Sequence, residues 1–422
     1  MGGARGESRG FWLLLTGYGV SSYGNFLNLI ALGLFSYHLT GSSWATGVVM
    51  AVRLGAGFLA GLGAARVLGR IARRPLLIGL DLVQAAGMVA LVVAPSLAML
   101  LLVAVVLGVG NTTLVVVLRS GVPDLVGEEA RGRANGRLVT ARSLATILGF
   151  GSAGVVIDLG GYDAAFLLNG GSFLVSALAL SFVRWPSPER RAPGEAKTAD
   201  PVSAAGSPEA DGLTRWRAVW RVLPALVVGM VVVRGLDALA SAGHNVALPI
   251  FATGVAPENP AAVMTQFMTA WAIGSLCAHQ LVSRLVTTID HRVFAVATCV
   301  MSASFVLAFT GLPTGWLIAV SLLAGIADGV SEIGYVSTLQ ALPAAQRTRV
   351  FGLSASVENS AFGGGMVLSA GLLDVLPVLA VVGGLHGVAV AGVLAFLLLS
   401  QRRTPDGELV AHPRLAADPD RS

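Results

Sequence analysis

The sequence predicts an all-α integral membrane protein with twelve transmembrane helices arranged as two six-helix bundles. Two observations carry this prediction. The 422 residues are 55% hydrophobic and only 12% charged, whereas a soluble domain carries roughly 25% charged residues. The polar segments between the apolar runs also alternate between arginine-containing and arginine-free, which is typical of a chain that crosses a membrane repeatedly.

Twelve apolar runs are long enough to cross a hydrocarbon core that takes about 20 residues of helix. Backbone groups cannot stay unpaired in hydrocarbon, so each run is expected to be helical. These spans, numbered one to twelve in chain order, cover residues 11–38, 44–66, 75–94, 97–119, 135–158, 163–183, 219–250, 262–285, 291–311, 315–340, 351–373 and 377–400.

Positive charge lies at one end of the spans. Basic side chains occur in both termini and in every second connecting segment; the segments that lack Arg and Lys are 39–43, 95–96, 159–162, 251–261, 312–314 and 374–376. We call the two ends of the molecule the arginine-rich end and the arginine-poor end. By the positive-inside rule the arginine-rich end and both termini are expected in the cytoplasm. This distribution explains the net charge of +5 without a nucleic-acid partner.

One segment differs in composition from the spans. Residues 184–218 are rich in Pro, Gly, Ala and charged residues, which is typical of a flexible linker that cannot build a core. The expected domains are an N-terminal bundle (1–185), a cytoplasmic linker (186–215), a C-terminal bundle (216–400) and a cytoplasmic tail (401–422).

Six spans, a long central loop and six more spans resemble the major facilitator superfamily. Local motifs resemble its macrolide-efflux-like branch, which exports drugs and natural products. They are LTGSSWATG (Leu39–Gly47), RIARRPLLIGLD (Arg70–Asp81), RSGVPDLV (Arg119–Val126) followed by RANGR (Arg133–Arg137), GGYDAAFLLNGGSFL (Gly160–Leu174) and LQALPAAQRTRVFGL (Leu339–Leu353). The resemblance implies a multi-pass exporter of the bacterial cytoplasmic membrane that works by alternating access and proton antiport.

The chain departs from the family pattern at three positions. Gly69 stands where the loop motif carries an acidic residue, Asn25 where relatives often carry Asp, and Phe150 where the antiporter motif has Pro.

Polar residues inside the spans are candidates for function because ionisable groups in hydrocarbon cost several kcal/mol. The resemblance implies that spans one, four, seven and ten line a central cavity, and each carries a one-sided polar stripe. The predicted substrate-binding residues are Asn25, Asn28, Asn111, Arg234, His244, Asn245 and Tyr335 from these spans, together with Arg53 of span two, which resembles an arginine of the family.

The acidic residues are candidates for proton coupling. Asp328 and Glu332 lie one turn apart in span ten, and their like charges favour protonation of at least one of them. Arg234 and Asp328 both lie near the middle of their spans, so we expect them to pair. The predicted proton-coupling residues are Asp237, Asp328, Glu332 and Glu358; the predicted gating residues are Arg70, Arg73, Arg74, Asp81, Arg119 and Arg142.

The expected partners are a small amphiphilic substrate, protons and the lipid bilayer, and we expect a monomer without cofactor or metal. No G-x-x-x-x-G-K-[ST] motif occurs, which argues against ATP-driven transport. An enzyme is not expected, because the histidines of the spans are scattered along the sequence. An uptake facilitator, a lipid flippase and a transporter-like sensor remain as alternatives of the same fold.

Overall fold

The computed structural model describes residues 9–68, 70–127, 130–183, 223–285 and 291–401. Every regular element within these ranges is an α-helix. The helices are span one (Arg9–Thr40), two (Ser43–Leu68), three (Arg73–Val93), four (Leu97–Val126), five and six together (Arg131–Phe182), seven (Ala225–Val255), eight (Pro260–Leu285), nine (His291–Ala308), ten (Thr314–Gln340), eleven (Ala344–Leu373) and twelve (Val378–Gln401). The predicted linker, 186–215, and nearly all of the predicted tail lie outside the described residues.

Spans five and six join through a single non-helical residue. Gly161 has φ 69° and ψ −174° inside the helix Arg131–Phe182, a conformation that glycine adopts without the steric cost other residues incur. The contacts with span one show that the chain reverses direction at this residue. Before it, Gly149 packs on Tyr23; after it, Ser176 packs on Gly17, which comes before Tyr23 in span one. The eleven described helices therefore supply twelve membrane-length segments, as the sequence predicts.

Nine of the described helices are long and apolar enough to cross a membrane. The two others are spans one and eleven, whose polar side chains dilute their hydropathy. Span one packs mainly on the helix of spans five and six, and span eleven packs between span seven and span two of the other half, so their polar residues need not face lipid.

The two halves of the chain repeat the same helix pairings. Span two packs on span four in the first half, and span eight packs on span ten in the second. A Cβ at Gly108 of span four would overlap the backbone carbonyl of Arg53, and a Cβ at Gly325 of span ten would overlap that of Trp271. Such close backbone approach through small residues is typical of helix packing in membranes. The structure thus confirms the two bundles.

The halves meet near the arginine-poor end. A Cβ at Gly47 of span two would overlap the Cβ of Ala370 in span eleven. Span five meets span eight in the same way, since the Gly154 N–H donates to Thr265 Oγ1 at 2.7 Å.

The buried apolar core shows the same asymmetry. At the arginine-poor end one cluster of buried side chains runs through both halves, from Leu27 and Phe150 to Phe267 and Met366. At the arginine-rich end the core divides into one cluster around Phe11 in the first half and a separate one around Phe294, Tyr335 and Phe396 in the second. The halves are therefore sealed together at the arginine-poor end and part towards the other end.

The contact at Gly47 allows a test of this seal. We expect Gly47→Val to reduce the population of the sealed state about tenfold, because overpacking a tight contact costs about 1–3 kcal/mol. Spin labels at Ser42 and Asp374, in a background without Cys277 and Cys299, report the separation of the two halves as a distance distribution.

Gly55→Val is the matched control, because a Cβ at Gly55 of the same span meets nothing within 4 Å. A distance distribution that is unchanged by Gly47→Val, or changed equally by both substitutions, contradicts this description of the seal.

Candidate functional site

A cluster of charged side chains lies in the C-terminal half, centred on Arg234 of span seven. Its Nη1 lies 3.3 Å from Asp237 Oδ2 and its Nε lies 3.4 Å from Glu358 Oε2, and Nη2 forms an ion pair with Glu332 Oε2. One guanidinium group is thus shared by three carboxylates. Only 14% of the Arg234 side chain and 8% of the Asp237 side chain are exposed.

Three helices build this cluster. Asp237 follows Arg234 by three residues, so both lie on the same face of span seven. Glu332 comes from span ten and Glu358 from span eleven. Because each carboxylate comes from a different helix, the ion pairs tie spans seven, ten and eleven together.

Hydrogen bonds extend the cluster. Ser354 Oγ donates to Glu358 Oε1 at 2.5 Å and also bonds to the hydroxyl of Tyr335. The ring of Tyr335 lies 5.8 Å from the Arg234 guanidinium carbon. This geometry places two of the predicted residues, Arg234 and Tyr335, in one network with three of the predicted acidic residues.

Asp328 lies close to the cluster but outside its direct ion pairs. It lies near Arg234, Glu332 and His279, and it takes part in none of the ion pairs between described residues around Arg234. The expected Arg234–Asp328 ion pair is therefore wrong, and Glu332 takes that place. The reason is depth: Arg234 lies nine residues from the arginine-rich end of span seven and Glu332 lies eight residues from that end of span ten.

Glu332 and Glu358 are the accessible members of the cluster. Their side chains are 38% and 31% exposed, whereas those of Arg234 and Asp237 are largely buried.

His244 is buried largely within the C-terminal half, with Nε2 3.2 Å from Asn245 Nδ2, and its role in substrate binding stays a prediction. Its Nδ1 lies 3.2 Å from His386 Nε2, and its ring stacks on Phe305 with centroids 4.0 Å apart. These partners come from spans twelve and nine, so the ring belongs to the core of the C-terminal bundle. Helical spacing placed His244 near the polar stripe, but its side chain turns to the other flank of the helix.

Asn245, its neighbour in sequence, faces the other half. It lines a small cavity of about 40 Å³ between spans one, two, seven, eight and eleven. Four methionines line the same cavity, and we call this space the methionine recess: Met50, Met264, Met268 and Met366. The flexible thioether side chain of Met suits surfaces that adapt to varied apolar shapes.

The N-terminal half contributes polar groups without protein partners. Both side-chain amide atoms of Asn28 are buried and unpaired among the described residues, as are Asn25 Oδ1 and Arg53 Nη1. Asn25 Nδ2 donates to the Ser21 carbonyl at 3.0 Å. Asn111 of span four is exposed.

The predicted gating residues are dispersed along the arginine-rich side. Arg74 of span three donates to the carbonyl of Ser181 at the end of span six. Asp81 is buried one turn before Gln84, which donates to it at 3.4 Å. The Arg142 guanidinium lies 5.6 Å from the centre of the Phe26 ring.

For the other three gating candidates, the described part of the structure gives a position rather than a contact that bears on gating. Arg70 is exposed just before span three, and Arg73 forms part of the first turn of that span. The side chain of Arg119 lies outside what the structure describes. These six residues remain predictions as gating elements.

Sequence reasoning missed the methionine recess and Ser354. Met264 and Met268 lie one helical turn apart in span eight, and this spacing places both methionines on one face of the helix. Their convergence with Met50 and Met366 depends on the packing of the two halves and has no local signature.

Membrane-length helices in two paired halves, with a charged cluster inside one of them, are typical of a multi-pass membrane transporter. A family model described as Major Facilitator Superfamily matches residues 14–256. The chain belongs to the major facilitator superfamily. No curated protein sequence matches it significantly.

Solved structures share this fold at low sequence identity. A crystal structure of the nucleoside transporter NupG superposes with a TM-score of 0.67 at 14% identity, covering 93% of this chain and 100% of that one. The POT family transporter PepTSo gives 0.67 at 10% identity, covering 93% and 98%. A bacterial homologue of the human lysosomal transporter Spinster, in an inward-facing and unoccupied conformation, gives 0.67 at 15% identity, covering 94% and 98%.

The ion-pair geometry predicts the response to removing Arg234. We expect Arg234→Gln to destabilise the protein by about 2 kcal/mol or more, because removing one partner leaves buried carboxylate charge uncompensated. Thermal unfolding in nanodiscs measures the loss.

A second substitution distinguishes this cause from a general packing defect. Adding Asp237→Asn to Arg234→Gln removes the most buried of the uncompensated charges, so the double variant should recover part of the lost stability. Additive losses from the two substitutions contradict the proposed charge balance.

Proposed function

We propose that this protein is a secondary active transporter that exports an amphiphilic small molecule across a bacterial cytoplasmic membrane in exchange for protons. The arginine-rich end faces the cytoplasm under this proposal, which follows from the positive-inside rule. Direction and membrane rest on the arginine distribution and on the motifs that resemble drug and natural-product exporters.

The observation that carries the proposal is the excess of acidic groups around Arg234. One positive charge meets three carboxylates in direct contact, which leaves two formal negative charges. Inside a membrane such an excess is expensive unless protons neutralise it. A group of carboxylates that exchanges protons is what proton coupling requires.

The position of the cluster supports coupling to movement. Its members come from spans seven, ten and eleven, and span eleven also forms the seal through Ala370. Protonation of Glu358 weakens its ion pair with Arg234 and so changes the energy of one of the helices at the contact between the halves. The proposed cycle links proton binding to the opening of that contact.

The division of the apolar core supports a resting state open to the cytoplasm. The halves share one core at the arginine-poor end and have separate cores at the arginine-rich end. In the proposed orientation, substrate enters from the cytoplasm and meets the methionine recess at the closed end of the cleft.

Proton exchange tests the proposal directly. Everted membrane vesicles with an acidic lumen are loaded with a pH-sensitive dye and exposed to erythromycin, chloramphenicol or fusidate, which are a cationic, a neutral and an anionic amphiphile. We expect at least one compound to release protons through the wild-type protein. Glu332→Gln should reduce that release at least tenfold, because it removes a titratable member of the cluster.

Asp374→Asn is the matched control, because Asp374 is an exposed carboxylate in a turn at the arginine-poor end. Full proton release by a variant that carries both Glu332→Gln and Asp328→Asn contradicts the proposed coupling site. Compound-dependent proton movement in the opposite direction identifies an uptake carrier instead.

A further inference from the structure

Arg53 of span two is a charged group for which the described part of the chain supplies no counter-charge. Its Nη1 is buried from solvent and has no hydrogen-bond partner among the described residues. The ion pairs of buried arginine in this part of the chain are those of Arg234, and none includes Arg53. The side chain as a whole is partly exposed. An arginine within a membrane span normally pairs or faces a water-filled cavity.

The helix geometry places Arg53 beside the space between the halves. Met50 lines the methionine recess, and Arg53 follows it by three residues, so both lie on the same face of span two. Span two begins at the arginine-poor end, so Arg53 lies one turn further from the seal than Met50. It therefore lies next to the recess on the side where the cleft opens.

Span one adds uncharged polar groups at the same depth. Leu29 and Gly33 line the recess together with Met50. Because spans one and two are antiparallel neighbours, Arg53 is level with the turn of span one that contains Asn28. The amide of Asn28 is also buried and unpaired, so an arginine Nη1 and an amide at one depth both lack partners among the residues that the structure describes.

The acidic cluster lies elsewhere in the cleft. Arg234 precedes Asn245, which lines the recess, by roughly three helical turns, so the cluster is displaced towards the arginine-rich end. The cleft is therefore polarised: the excess negative charge lies on the C-terminal half, and an uncompensated positive charge lies on the N-terminal half near the methionine recess.

We propose that the substrate is an amphiphilic organic acid whose acidic group binds Arg53 and whose apolar part packs against the methionine recess. The inference rests on the proposed transport function and specifies its substrate class. Arginine presents a planar fork of donors that matches a carboxylate, sulfonate or phosphate, and the thioethers accept apolar groups of varied shape. The acidic cluster remains available for protons, because the substrate acid binds on the opposite wall.

Binding of three probes of the same shape tests the inference. The probes are 2-naphthoate, 2-naphthamide and 2-naphthylmethylammonium, which differ in charge, and calorimetry in nanodiscs without a pH gradient measures their affinities. We expect the wild-type protein to bind the naphthoate at least tenfold more tightly than the other two. Arg53→Gln should abolish that preference, and Arg53→Lys should retain part of it.

Arg292→Gln is the matched control, since it removes the same charge from an exposed position at the start of span nine. Thermal unfolding verifies that each variant folds. Equal affinities for the three probes, a preference for the cation, or no binding of any probe to the wild-type protein overturns the inference. The inference is also overturned if Arg53→Gln lowers the affinity for the naphthoate and for the naphthamide by the same factor.

A second variant separates this inference from the transport proposal. Glu332→Gln should leave naphthoate binding intact while it reduces proton release. Naphthoate binding that depends on Arg53, in a protein that moves no protons, contradicts the antiport proposal and leaves the binding site in place. Proton release without a preference for the acid contradicts the binding site alone.

Discussion

The cost of leaving a polar group without a partner in hydrocarbon shapes this molecule at every level. For the backbone, this cost favours the α-helix, because a helix pairs each amide group within its own span. For side chains it is higher still, because an isolated charge loses its hydration and gains nothing in return. Arg234 and its three carboxylates are consequently gathered into one cluster in the C-terminal half, and most of the large apolar side chains exposed on the surface are Leu, Val and Ile.

The cost of burying an unpaired charge explains the arrangement around Arg234. The cluster around it joins spans seven, ten and eleven through charges that each helix alone would be unable to bury. A buried ion pair adds little net stability, since desolvation offsets most of the attraction. The balance of charge here is incomplete, since three carboxylates contact one arginine, and in the proposed transport cycle this excess is what lets proton binding change the helix packing.

The fold was predictable from sequence because its signals are local. Length of apolar run, arginine alternation and a Pro-rich central segment each act within about 20 residues, and together they specify twelve spans in two halves. The i,i+3 spacing of Arg234 and Asp237 likewise placed both on one face of span seven. These inferences need helix geometry and nothing about neighbouring helices.

The site was predictable only in part, because rotation and depth of one helix against another depend on packing. Glu332, rather than Asp328, meets Arg234 because the spans are offset by about one turn. His244 turns towards His386 because an aromatic partner, Phe305, is available on that flank. The methionine recess combines residues from five helices of both halves, and no pattern within one helix indicates that they converge.

The turn at Gly161 gives spans five and six a mechanical property. Only one non-helical residue separates the two helices. No flexible loop is therefore present at this turn to absorb a displacement of one helix against the other. That turn adjoins Asp158, whose Oδ1 accepts a hydrogen bond from Asn259 of the other half, and the far end of span six holds Arg74 of span three. We therefore expect spans five and six to move as one unit, so that a displacement at one face of the membrane reaches the other.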